Sequence, residues 1–195
     1  MQALFDYRQD AKYIFENETA EVADIAEDII REALDRMGVS KIDQRLFGKV
    51  DYKRAKYLFL PDFAVRQALF VDSKAEKFSG QGTATLQITL LSMYVRQIRN
   101  KIIYNEKGRL PTIFKIGDNA FLTTTFFVKY NYLETAGTKT LNSITLAALP
   151  SGLLQARYNP TELDTIFTAG RNAPTLGEDF RVRLKVKSTL ACTMH

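Results

Sequence analysis

The chain has 195 residues, enough for one domain with a sizeable buried core, and its 46% hydrophobic and 25% charged content is ordinary for a soluble globular protein. The single cysteine, Cys192, excludes an internal disulfide or a cysteine zinc site, and the single histidine, His195, excludes histidine-based triads. The net charge of +5 is unevenly placed: 13 Lys+Arg against 15 Asp+Glu over residues 1–95, but 14 against 7 over residues 96–195, which suits a polyanion docking mainly on the second half.

The N-terminus lacks a signal-peptide layout, and no apolar run is long enough to span a bilayer. An intracellular, cytoplasmic protein with no membrane partner is expected. Residues 5–18 are predicted helical, with Phe5, Ala11, Tyr13, Ile14 and Phe15 as packing residues. A second helix is predicted over residues 20–36. Val22, Ile25, Ala26, Ile29, Ile30, Ala33 and Met37 fall on one stripe, and Gly38 is a natural stop. Glu27 lies at the edge of that stripe, either as a rim-exposed charge or as a carboxylate reaching over a sheet.

Residues 47–77 are predicted to form a long antiparallel hairpin. Leu58-Phe59-Leu60 and Ala68-Leu69-Phe70-Val71 suit a pleated, half-buried surface, and Pro61-Asp62 between them is turn chemistry. With the tip at Pro61-Asp62, paired positions sum to 123, so Asp51 faces Asp72 and Lys49 faces Lys74. Residues paired across strands, and residues two apart on one strand, share a face, so Asp51, Asp72 and Lys74 converge on one patch. Two carboxylates on neighbouring strands are hard oxygen ligands suited to Mg²⁺, and an adjacent lysine can orient water or neutralise a phosphorane. The rival Pro61-Asp62…Asp72-Ser73-Lys74 set fails on distance. Ten strand residues at about 3.3 Å each leave Asp62 roughly 33 Å from Asp72. On the residues alone, the patch is either this site or a solvated strand face carrying an ion pair.

Residues 79–82 (Ser-Gly-Gln-Gly) make a flexible break. Residues 84–104 are ambiguous between strand and helix. The part ending in Arg96, Arg99 and Lys101 leans helical, with those cations either contacting phosphate or lying on a solvated face. Residues 121–132 and 140–149 read as strands extending the hairpin's sheet, in which Tyr130 and Tyr132 serve packing. Residues 150–170 read as a connection with short helical pieces. Residues 180–187 (FRVRLKVK) alternate without a break: Phe180, Val182, Leu184 and Val186 on one face, Arg181, Arg183, Lys185 and Lys187 on the other. Such a strand either has an ordinary wet basic face or lies in a major groove, where Arg pairs with guanine and Lys holds phosphate. Arg171, in a preceding loop, is a candidate for the same surface.

These pieces resemble the SfiI-type restriction endonucleases, a branch of the PD-(D/E)xK nucleases to which BglI is structurally related. The resemblance rests on the collinear blocks Ala26-Glu27-Asp28-Ile29, Asp51-Tyr52-Lys53-Arg54, Val71-Asp72-Ser73-Lys74, Thr85-Leu86-Gln87, Arg157-Tyr158-Asn159-Pro160, Ala169-Gly170, Gly177-Glu178 and Arg181-Val182-Arg183. The resemblance covers roughly residues 7–187, while residues 88–120 match poorly. The resemblance implies an α/β fold with a central mixed sheet flanked by helices, over one endonuclease domain (1–195). It implies Mg²⁺-dependent, sequence-specific cleavage of double-stranded DNA as a type II restriction endonuclease, at an interrupted palindrome containing G·C pairs. Asp51 and Asp72 then hold the metal with the Ser73 carbonyl, Lys74 assists the attacking water, and Glu27 is an outer carboxylate. Arg181 and Arg183 read bases, and Arg171 stands where the family has a lysine. A homodimer or tetramer and a cognate DNA methyltransferase are the implied partners. A structure-selective repair or recombination nuclease on the same fold, or a DNA-binding module without catalysis, are the alternatives.

Overall fold

The computed structural model describes residues 2–37, 40–41, 56–59, 65–78, 85–169, 181–184 and 191–194. Helices α1 (Gln2–Asp6), α2 (Arg8–Asn17) and α3 (Val22–Asp35) come first. Strands β1 (Ser40–Lys41), β2 (Lys56–Phe59) and β3 (Gln67–Lys77) follow, then β4 (Leu86–Gln87), β5 (Tyr94–Arg99), β6 (Ile102–Lys107) and β7 (Ile113–Ile116). The two longest strands, β8 (Asn119–Thr135) and β9 (Thr138–Leu149), precede α4 (Gln155–Tyr158) and the short strands β10 (Phe167–Ala169), β11 (Arg181–Leu184) and β12 (Ala191–Met194).

The main sheet runs β1-β2-β3-β8-β9-β12, with β7 also paired to β8. It is mixed: β3 is antiparallel to β2 but parallel to β8, from Gln67 opposite Leu122 to Lys77 opposite Tyr132. Strand β3 is buried on both sides from Phe70 to Ser73, which explains its unbroken apolar run Ala68 to Val71. Strands β8 and β9, expected as strands of this sheet, pair with each other as a hairpin. Its turn holds Ala136 and Gly137 at positive φ, the geometry that two-residue hairpin turns require.

The helices cover one face of this sheet. Ile25, Ala26, Ile29, Ile30 and Ala33 of α3 pack with Val71, Val128, Tyr130, Ile144 and Leu146. The apolar stripe of α3 therefore lies as its period dictates, although Met37 is half-exposed beyond the helix end. In the N-terminal segment the stripe is offset. Ala3, Leu4, Tyr7, Ala11 and Phe15 are buried, whereas Phe5 and Tyr13 face solvent, because the chain breaks between α1 and α2 at Tyr7.

Tyr130 and Tyr132 pack their rings on Phe15 at 5.7 and 6.1 Å. The Tyr130 hydroxyl is buried with no hydrogen-bond partner among the described residues, and burial pushes its ionisation far above the ordinary range. Tyr130→Phe removes that uncompensated hydroxyl, so stability should hold or rise by up to ~1 kcal/mol. Calorimetry should then show a Tm unchanged or higher by about 2–4 °C.

The other face of the sheet is covered by smaller pieces. A three-stranded sheet, β10-β11-β4, packs Leu86, Phe167 and Val182 onto Phe127, Ala147 and Leu149. A two-stranded hairpin, β5-β6, is antiparallel from Tyr94 opposite Lys107 to Arg99 opposite Ile102. The helix expected to end at Arg96, Arg99 and Lys101 is thus two strands. Val95 and Gln97 are buried while Tyr94 and Ile98 are exposed, an alternation of two that overrides the cations' helix-like spacing.

The hairpin register also differs from expectation. The observed pairs run from Lys56 opposite Phe70 to Phe59 opposite Gln67, so positions sum to 126 and not 123. Asp51, Asp62 and the break at residues 79–82 lie outside the described residues.

Candidate functional site

Strand β3 alternates strictly. Val71 points to the helices, so Asp72, Lys74 and Glu76 occupy the opposite face. The Asp72 side chain is fully buried, and that of Lys74 is one quarter exposed. The Lys74 ammonium lies 2.8 Å from Asp72 Oδ1 and donates to the Ser73 carbonyl at 3.1 Å. One cation therefore bridges a carboxylate oxygen and a backbone carbonyl two and one residues before it.

Parallel pairing brings a second charged couple to the same face. Lys129 of β8 is in register with Lys74, and its ammonium lies 3.3 Å from Glu76 Oε2, with the Glu76 side chain almost wholly buried. Along this face charge alternates as Asp72, Lys74, Glu76 and Lys129, an arrangement that lets ionised side chains share a low-dielectric place. Glu76 is legible in the sequence as the next member of the Asp72, Lys74 alternation. Lys129 was not legible, because only the parallel β3-β8 register sets it there.

The donor set suits a hard divalent cation. The Lys74 ammonium already marks a point where Asp72 Oδ1 and Ser73 O both reach a positive charge, and both are oxygens of the kind Mg²⁺ takes. Among the described residues no group of three His, Cys, Asp or Glu gathers as a metal site. The expected second carboxylate, Asp51, lies outside them. Glu27 is half-buried on α3, whose layer covers the Val71 face. Alternation therefore sets Glu27 and the Asp72-Lys74 pair on different sides of β3.

The basic strand takes the predicted form over its described part. Val182 is fully buried in the core beneath the small sheet, with Leu184 packed against the same cluster. Burial of such a side chain contributes roughly 1.5–3 kcal/mol and fixes which face of β11 turns away from that core. Arg183 is on the face opposite Val182, in register with Thr168, and Arg181 is in register with Gln87. The Arg183 Nε and Nη2 donors are buried with no acceptor among the described residues. A guanidinium held this way is costly to the free protein and suited to an acceptor brought by a ligand. Arg171 and Lys185 lie outside the described residues.

The comparisons agree with one another. The family model described as type II restriction enzyme SfiI matches residues 5–191. The type II restriction enzyme SfiI of Streptomyces fimbriatus is 34% identical over 200 residues, covering 94% of this chain and 73% of that protein. The crystal structure of tetrameric SfiI bound to cognate DNA superposes with a TM-score of 0.76 at 29% identity, over 94% of this chain and 73% of that one. The crystal structure of the restriction endonuclease BglI bound to its DNA recognition sequence matches in fold, with a TM-score of 0.74 at 15% identity over 99% of this chain and 86% of that one.

Proposed function

This chain belongs to the SfiI family of type II restriction enzymes, and we propose that it hydrolyses duplex DNA in a Mg²⁺-dependent reaction at an interrupted palindrome containing G·C pairs. The observation that carries the reading is the Lys74 ammonium bridging Asp72 and the Ser73 carbonyl on a buried strand. Asp72 and the Ser73 carbonyl would hold the ion, joined by Asp51 on the strength of the family resemblance, since a register summing to 126 does not pair Asp51 with Asp72. Bound there, Mg²⁺ would supply charge that neutralises the phosphorane and acidifies the attacking water. Lys74 would leave Asp72 for the reacting centre, hold the water in line with the 3′ oxygen and neutralise charge as the bond to phosphorus forms. The P–O3′ bond then breaks, leaving 5′-phosphate and 3′-hydroxyl ends.

Arg181 and Arg183 would read guanine edges, with Arg171 and Lys185 supporting them on base or phosphate. Two copies related by a two-fold axis would read the two half-sites, so a homodimer is the smallest competent unit. The tetramer recorded for SfiI makes a dimer of dimers the larger form to look for. A cognate methyltransferase would protect the same site in host DNA, and the place of action is the cytoplasm. No helix among the described residues is long and apolar enough to cross a membrane.

Digestion of a plasmid of known sequence with Mg²⁺, followed by sequencing of the ends, tests this reading. Discrete fragments with one shared end sequence support it. Cutting confined to branched or damaged DNA would replace it with a repair role. Glu27 is proposed as an outer carboxylate, and its layer limits the effect. Glu27→Gln should slow cleavage by less than about tenfold, below the 10–100-fold usual for residues that orient metal ligands. A larger loss in single-turnover rate would move Glu27 into direct contact with the ion.

A further inference from the structure

The β5-β6 hairpin lies outside everything used above, and residues 88–120 are where the family blocks give no guidance. Its sequence, Tyr94 to Lys107, turns at Asn100-Lys101, and both turn residues have left-handed backbone, φ 50° and 63°. Asparagine tolerates this conformation. Lysine adopts it less readily, and a two-residue turn of this kind favours glycine at the second position. The chain therefore keeps a cation at the tip at some cost to the backbone, and such costs gather where a ligand is gripped.

The surroundings of the tip point the same way. Between residues 96 and 109 stand Arg96, Arg99, Lys101, Lys107 and Arg109 against Glu106 alone. Arg96 is committed to structure, since its guanidinium donates to the Pro160 carbonyl and to Asn105 Oδ1. Lys101 and Lys107 are exposed. Ile98, Ile102 and Ile103 are 43, 56 and 65% exposed around the turn, so apolar area stands free beside the cations. Strand β5 also packs against β10, which belongs to the sheet carrying Arg183.

We propose that the β5-β6 hairpin is a DNA arm. Lys101 and Arg99 grip the phosphodiester backbone of duplex beyond the bases read by β11, and the tip isoleucines rest against deoxyribose in the minor groove. This rests on the duplex-cleaving function proposed above. Charge decides against a second copy of the chain as the occupant. Two such arms would repel, and lysine is depleted at interface cores, whereas Arg99 and Lys101 set on phosphate release counterions.

Lys101→Gly separates fold from binding, because it relaxes the turn while removing the charge. Its Tm should be equal to or above that of the wild type. Affinity for a long duplex, measured without metal by fluorescence anisotropy, should fall roughly three- to tenfold on cognate and non-cognate DNA alike. The slope of log K against log salt should drop by about one. Arg99→Ala with Lys101→Gly should deepen both effects. Wild-type affinity and slope in the double variant would overturn the arm while leaving the nuclease intact. A changed sedimentation coefficient with unchanged DNA binding would give the tip to a chain–chain interface. If the wild type neither binds nor cuts duplex DNA, the arm falls together with the function it serves.

Discussion

Lys74→Ala is expected to bind duplex DNA at close to wild-type affinity and to cut it on the order of 10²–10⁴-fold more slowly, the usual range for a lost proton-handling or charge-stabilising group. The expectation follows from position. Lys74 is on a strand paired with β8 along its whole length, its ammonium is 2.8 Å from a fully buried carboxylate, and it remains partly exposed. It can thus leave Asp72 for a phosphate without unfolding anything. Loss of the ammonium also withdraws a counter-charge from buried Asp72, so the variant should be less stable without metal. Added Mg²⁺ should then raise its Tm more than it raises that of the wild type, by ordinary linkage. Single-turnover cleavage and metal-dependent melting check the two halves. Wild-type cleavage by Lys74→Ala would remove Lys74 from the catalytic set. A large Mg²⁺ shift that survives Asp72→Asn would place the ion elsewhere.

Arg183→Ala is expected to weaken cognate binding by about 1–3 kcal/mol and to leave non-cognate binding nearly unchanged. Two of its nitrogen donors are buried without an acceptor in the described structure, so the free protein bears a cost that a guanine edge would relieve. The same observation predicts the effect on stability. Truncation removes the uncompensated donors, so Tm should not fall, the pattern of a residue kept for function at the expense of the fold. Equal losses on both DNAs would reduce Arg183 to a phosphate contact. A clear drop in Tm would make it part of the packing.

Glu76 and Lys129 show where reading along the chain stops. Glu76 is two residues past Lys74, and strand alternation alone sets it on that face. Lys129 is 55 positions from Lys74 in sequence and reaches it because β3 and β8 run parallel and in register. Parallel pairing is decided by what covers both faces of the sheet, here the helices on one side and the small sheet on the other, and no local signal encodes it. The β5-β6 hairpin failed for a related reason. Its run of Ile, Val and Tyr fits either period, and the turn that decides between them uses asparagine and lysine where glycine would have announced it.

The sequence by itself determined the class of fold, the apolar stripe of α3, the strands β8 and β9, the alternation of β11 and the family, because each depends on short-range periodicity or on collinear blocks. Only the tertiary structure decided the shift of the β2-β3 register from 123 to 126, the partners of Asp72 and Lys74, and the side of the sheet on which Glu27 lies. A register is fixed by the burial of a whole face at once, and a one-residue slip turns every side chain over. The side chains that make a site are set by that long-range choice, and no turn or propensity nearby can make it for them.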